Sequence, residues 1–320
     1  MADSLSLDGL IETTSLPINT TSQPQEPADQ QNGTTTSPNL ASPLPPTTKP
    51  TQLPDGEWTP ETVLSTLPER PKPNTTSPIP FFHALTLLKT TKREGWRRFG
   101  INDGESISDH MYRMSIITLL CPPSLASTLD IPRCTRMALV HDMAEALVGD
   151  ITPIDGVSKP EKSRREGETM DYLCSGLLGR VGGGVAGRGG LAGEGIREVW
   201  QEYEDGLTRE SVFVHDVDKV ELLLQMVEYE KAKNGQLDLG EFAWVAKRIV
   251  MPEVKEWAEE ILKERTIFWE GKGKKAGGVQ SIGGLEDEEL SEERKAQQDE
   301  YYGEDKKVNG VASNGAAETS

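Results

Sequence analysis

The chain has 320 residues, 34 of them basic and 52 acidic, for a net charge of −18. That balance, without a basic stripe, excludes duplex nucleic acid as a partner, because such binding comes largely from phosphate neutralisation. It leaves room for a small anionic substrate held by a locally positive pocket or a metal.

Of the 21 prolines, 15 lie in residues 1–80. Segments such as Thr34-Thr35-Thr36-Ser37-Pro38 cannot bury enough apolar surface to offset chain entropy. Residues 1–80 therefore read as a disordered Pro/Ser/Thr-rich arm, with Trp58 to Leu67 as a short docking helix capped at Thr59-Pro60-Glu61. Residues 271–320 read as a disordered acidic tail, which leaves 81–270 as one domain. The two ends carry −6 and −4, so the middle carries −8.

From Phe81 the spacing turns helical, with Phe81, Leu85 and Leu88 recurring on one face. Ser106 or Ser108 caps a helix through Met111, Met114, Ile117 and Leu120, stopped by Pro122-Pro123. Asp130 caps the next, with Pro132 in its first turn and an end near Gly149. Pro160 opens a charged helix reaching Leu178. Residues 179–195 hold nine glycines in 17 positions and read as a flexible loop. Helical patterns follow at Ile196–Tyr203, Arg209–Lys233 and Leu239–Arg248, and Pro252 opens a last helix toward Phe268. Alternating strand patterns are absent, so the fold class is all-α with about eight helices.

No apolar run is long enough for a membrane-spanning helix. The start of the chain lacks the basic and apolar segments of a secretory signal and the arginines of a mitochondrial presequence. Cys121, Cys134 and Cys174 show neither a disulfide nor a zinc-finger spacing. The expected location is the cytoplasm, with the nucleus as a second compartment.

Four histidines are available for chemistry: His83, His110, His141 and His215. His141 precedes Asp142 within an otherwise apolar helix, where both groups are costly unless paired or bound to metal. An isolated His-Asp is most often a hydrogen-bonded core histidine beside an arginine-paired aspartate. Here Glu145 follows on the same side of the helix, and Asp150 comes just past it. One imidazole and three carboxylates within ten residues suit magnesium, manganese, iron or cobalt better than thiolate-seeking metals.

The stretch Glu105-Ser106-Ile107-Ser108-Asp109-His110-Met111-Tyr112-Arg113-Met114 is followed by Leu139-Val140-His141-Asp142-Met143-Ala144-Glu145 and by Val148-Gly149-Asp150-Ile151-Thr152-Pro153. Together they closely resemble the HD-domain 5′-deoxynucleotidases. So do Pro160 to Glu166, Trp200-Gln201-Glu202-Tyr203-Glu204, and the long helix with Asp218 and Glu228-Tyr229-Glu230. The likeness runs from about Phe81 to Phe268 and leaves out the glycine-rich loop and both ends.

The resemblance implies an HD-domain helical bundle holding a divalent metal through His110, His141, Asp142 and Asp218. Spacing alone does not choose between Asp216 and Asp218; the resemblance points to Asp218. Asp216 then reads as a surface carboxylate, and His215 as a partly exposed helix residue. A second cation is implied at Glu145, Asp150 and the carbonyl of Ile151, unless the two carboxylates position the attacking water instead. Arg93 matches the family's substrate-phosphate arginine, and Arg98 matches it less well. The implied activity is release of phosphate from deoxyribonucleoside 5′-monophosphates with Mn²⁺, Co²⁺ or Mg²⁺, in a homodimer. The rivals are another HD-type phosphohydrolase or phosphodiesterase, and a non-enzymatic interaction protein.

Overall fold

The computed structural model describes residues 58–153, 155–183 and 191–282. Most of the expected N-terminal arm, residues 1–57, and the tail from 283 onward lie outside the described residues, as do Ile154 and residues 184–190. Every regular element among the described residues is helical, apart from an isolated antiparallel bridge between Lys92 and Ser106.

Short helices lead in: α1 (Pro60–Leu64), α2 (Ile79–Ala84), α3 (Thr86–Thr90) and α4 (Glu94–Arg97). Then come α5 (Ile107–Leu119), α6 (Pro123–Ala126), α7 (Ile131–Val140), α8 (Glu145–Val148) and α9 (Lys159–Asp171), which continues as a π-helical stretch, Tyr172–Leu177. The chain closes with α10 (Leu191–Asp205), α11 (Arg209–Ala232), a 3₁₀ stretch Gly240–Arg248 and α12 (Pro252–Gly271).

Local chemistry sets the helix starts. Ser106 and Asp109 form a capping box at α5, and Thr208 and Ser211 form one at α11. Asp130 caps α7 by accepting from Arg133 N–H. The start of α12 has no cap of its own; the Asp216 carboxylate on α11 takes the N–H groups of Val250 and Met251 at 3.0 and 2.7 Å. α5 packs on α7, both pack on α11, and α12 packs on α11 as well. α11 is therefore the central helix, buried on most sides, with Phe213, Val217 and Met226 in the apolar core and Asp216, Glu221 and Glu230 buried among them.

Four expectations change. The packed body begins at Trp58 rather than at 81: Trp58 is 3% exposed, and Val63 and Leu64 are buried where α1 meets α8 and α9. It also runs past 270, because Arg265 Nη1 donates to Gly277 O at 2.6 Å and Val279 is buried.

The glycine-rich stretch is not loop throughout, since α10 already starts at Leu191. A Cβ on Gly193 would lie 2.4 Å from Cys174 O, so that glycine permits close helix approach. Finally, α7 stops at Val140, and His141 to Ala144 form a turn tightened by i→i+3 bonds such as Met143 N–H to Val140 O and Glu145 N–H to Asp142 O.

Candidate active site

The tightened turn after α7 delivers His141 and Asp142 to one place. His141 Nε2 lies 3.2 Å from Asp142 Oδ2. α5 supplies His110, whose Nε2 is 3.2 Å from Asp218 Oδ1 on α11 and 3.8 Å from Asp142 Oδ2. The two imidazole centroids are 5.5 Å apart. Ligand atoms of His110, His141 and Asp142 all fall within 4.8 Å of one another. Arg93, the residue before α4, sends Nη1 to Asp142 Oδ2 at 3.3 Å. Past α8, Gly149 turns the chain with φ of +77°, and Asp150 Oδ2 accepts from Glu94 N–H at 2.5 Å.

Hydrogen bonds on the far side of each ring fix which nitrogen faces inward. His141 Nδ1 lies 3.1 Å from Ala138 O, and a carbonyl can only accept, so Nδ1 carries the hydrogen. His110 Nδ1 is 2.5 Å from Glu221 Oε2, which likewise accepts. Both Nε2 atoms are buried without a hydrogen-bond partner, as is Glu145 Oε2. Lone pairs turned toward carboxylates repel unless a cation or a proton sits between them. These residues therefore fit a divalent metal of the type that accepts mixed imidazole and carboxylate ligands.

The local charge balance points the same way. Burial and Arg93 push the His110 imidazole down, yet Glu221 and Asp218 outweigh them and hold it at about 10. Asp142 and Asp218 are lowered despite burial, Asp142 chiefly by His141 and Asp218 chiefly by His110, with Arg93 assisting both. Glu145 goes the opposite way: burial first, then Asp142 and Asp150, raise it well above the usual carboxylate range. Arg93 faces Asp150, Asp142 and Asp218 together.

Of the expected residues, His110, His141, Asp142, Asp218 and Arg93 converge. Glu145 and Asp150 border that cluster through their charge interactions, and Ile151 is buried directly after Asp150. Arg98 is turned elsewhere, to Glu241 at 3.1 Å. Asp216 is not a surface carboxylate: it is fully buried and caps α12. His215 places Nε2 3.0 Å from Tyr203 O and stacks on the Tyr203 ring at 4.0 Å; that ring lies 4.9 Å from His141. It acts as a buttress behind the site.

Sequence reasoning assigns no role to Tyr203, to Glu221, or to Glu105, whose carboxylate lies within 4.8 Å of ligand atoms of His110 and Glu221. The signal for Glu221 was its i+3 spacing from Asp218, which places both on one side of α11. No comparable spacing marks Tyr203 or Glu105.

A helical bundle with this His…His-Asp…Asp cluster has the pattern of an HD domain, and His110, His141 and Asp142 form a candidate metal site. The HD domain family matches residues 85–258. The 5′-deoxynucleotidase hdd1 of Schizosaccharomyces pombe is 46% identical over 192 residues, covering 60% of this chain and 91% of the relative. The 5′-deoxynucleotidase YGK1 of Saccharomyces cerevisiae is 41% identical over 211 residues, covering 66% of this chain and 92% of the relative. The human 5′-deoxynucleotidase HDDC2 is 35% identical over 193 residues, covering 59% and 86% respectively. The chain belongs to the HD-domain 5′-deoxynucleotidase family.

Proposed function

We propose that this chain is a metal-dependent 5′-deoxynucleotidase, hydrolysing deoxyribonucleoside 5′-monophosphates to deoxynucleoside and phosphate. The activity named for its relatives supports the reaction class. The observation that carries the reading is the pair of buried, unpartnered nitrogens, His110 Nε2 and His141 Nε2, turned toward Asp142 and Asp218.

In this reading His110, His141, Asp142 and Asp218 hold the cation, with Mn²⁺, Co²⁺ and Mg²⁺ as the candidates. Such an ion supplies an acidified water and a polarised phosphoryl oxygen. Arg93, set among three carboxylates, takes a phosphate oxygen and balances its charge. Glu145 is buried and proton-seeking, as suits a group that accepts a proton from the attacking water. Glu145, Asp150 and the Ile151 carbonyl are also the candidate ligands of a second cation. The homodimer and a cytoplasmic location, with the nucleus as a second compartment, belong to the same proposal. Among the described residues no helix is long and apolar enough to cross a membrane.

The test is His141→Ala and Asp142→Ala, each assayed for bound metal and for phosphate release. Both measures should collapse in each variant, since each removes a ligand. Wild-type metal content and turnover in either one overturns the proposal.

A further inference from the structure

Asp218 and Glu221 stand one turn apart on α11 and meet opposite edges of one imidazole. Asp218 Oδ1 lies 3.2 Å from His110 Nε2, while Glu221 Oε2 lies 2.5 Å from Nδ1. Glu221 is fully buried, and a carboxylate taken out of water is costly unless its oxygens are satisfied. Its other oxygen, Oε1, is closed by Arg113, with Nε at 2.8 Å and Nη2 at 2.7 Å.

Arg113 comes three residues after His110 on α5, so both project from one side of that helix. Its guanidinium is itself held by Gln225 Oε1 at 2.8 Å and Glu228 Oε2 at 2.7 Å, at the outer side of α11. An unbroken chain of charge-assisted bonds therefore runs from Glu228 through Arg113 and Glu221 to the Nδ1 edge of His110.

We propose that Glu221, clamped by Arg113, is a positioning residue that fixes the His110 ring and directs its Nε2 lone pair at the cation cluster. An ionised carboxylate only accepts, so Nδ1 must donate, and a neutral ring then carries its lone pair at Nε2. The carboxylate also increases the basicity of that lone pair. Arg113 keeps Glu221 from rotating away, because its fork holds the carboxylate from behind. The inference rests on the reading of His110 as a metal ligand.

The experiment is calorimetric titration of the metal-stripped full chain with Mn²⁺ and Co²⁺, alongside melting temperature and steady-state kinetics at saturating metal. Glu221→Gln keeps an acceptor oxygen but loses the charge. It should weaken metal binding by about 10- to 100-fold. KM for the deoxynucleotide should stay unchanged once metal is saturating.

Arg113→Met should weaken binding in the same direction by about tenfold, and Arg113→Lys should recover part of that loss. Arg113→Lys keeps a cation against the buried Glu221 carboxylate, so it serves as the folded reference where Glu221→Gln or Arg113→Met does not fold. Wild-type metal affinity in Arg113→Met and in Glu221→Gln, or a lowered melting temperature with unchanged affinity, overturns the positioning role. His110→Ala serves as the separate arm. If it still binds metal as wild type does, the ligand reading itself fails; if it loses metal while the other variants keep theirs, only the positioning role fails.

Discussion

Asp216 and Asp218 are two residues apart on α11 and face different neighbours. Asp218 approaches His110 Nε2 at 3.2 Å, whereas Asp216 accepts from the backbone of Val250 and Met251 at the start of α12. Two helical steps turn the second side chain about 160° from the first on a cylinder of 3.6 residues per turn. One carboxylate therefore faces the site and the other the helix junction.

Their variants should fail in different ways. Asp218→Asn should lose metal and turnover together while melting near the wild-type temperature. Asp216→Asn should retain the metal cluster but lower stability by about 2 kcal/mol, because charge-assisted bonds to buried backbone are lost. For a domain of this size that is a melting shift of roughly 4–8 °C. The reverse pattern, an inactive Asp216→Asn that melts normally, would mean that α11 is misplaced.

Truncation at the two candidate N-terminal boundaries should separate the covered segment from the rest. A chain beginning at residue 58 should keep activity and melting temperature. A chain beginning at 81 loses Trp58, Val63 and Leu64, each worth about 1.5–3 kcal/mol when buried. It should unfold roughly 10 °C lower or more, with the helix that carries Glu145 uncovered. Equal thermal stability of the two forms contradicts the packing of α1 on α8.

Two glycines of α10 should respond oppositely to alanine. Gly193→Ala forces a methyl against Cys174 O, 2.4 Å away, and should cost about 1–3 kcal/mol. Gly195 has open space around its Cβ position, and alanine there should gain up to about 1 kcal/mol from helix propensity. Urea denaturation of both variants checks the sign.

The caps at Ser106 and Asp130 and the His-Asp pair are legible because each is a short-range pattern: a side chain reaching its own backbone, or polar groups in an apolar helix. The break at His141 is not, since the turn is tightened by bonds whose competition with an ordinary helix is settled by packing. Gly193 reads as flexibility in the sequence because nothing in its neighbourhood announces Cys174. Trp58, Val63 and Leu64 sit among prolines and threonines, and their burial depends on α8 and α9, far along the chain. The role of Glu221 is hidden in the sequence for a similar reason: its partner His110 comes from another helix.

Stability should also depend on pH through Glu204. Burial first, then Glu166, raise its carboxyl to about 8, so the folded chain holds a proton that the unfolded chain releases near the ordinary carboxylate value. The folded state binds more protons in that window, and stability should fall as pH rises from about 4.5 toward 8. In metal-stripped protein, Glu204→Gln should flatten that decline while leaving stability at acid pH unchanged. A decline identical to wild type in the variant argues against a proton held at Glu204.

A cation at His110, His141, Asp142 and Asp218 should drive hydrolysis of a deoxynucleoside monophosphate. The direct measurement is phosphate release from a deoxyribonucleoside 5′-monophosphate by the full chain, stripped with chelator and then titrated with Mn²⁺, Co²⁺ or Mg²⁺. The stripped protein should be folded and inactive, and activity should return as metal is added in step with binding. Full activity in the stripped protein, or saturated metal binding without phosphate release from any deoxynucleoside monophosphate, would contradict it.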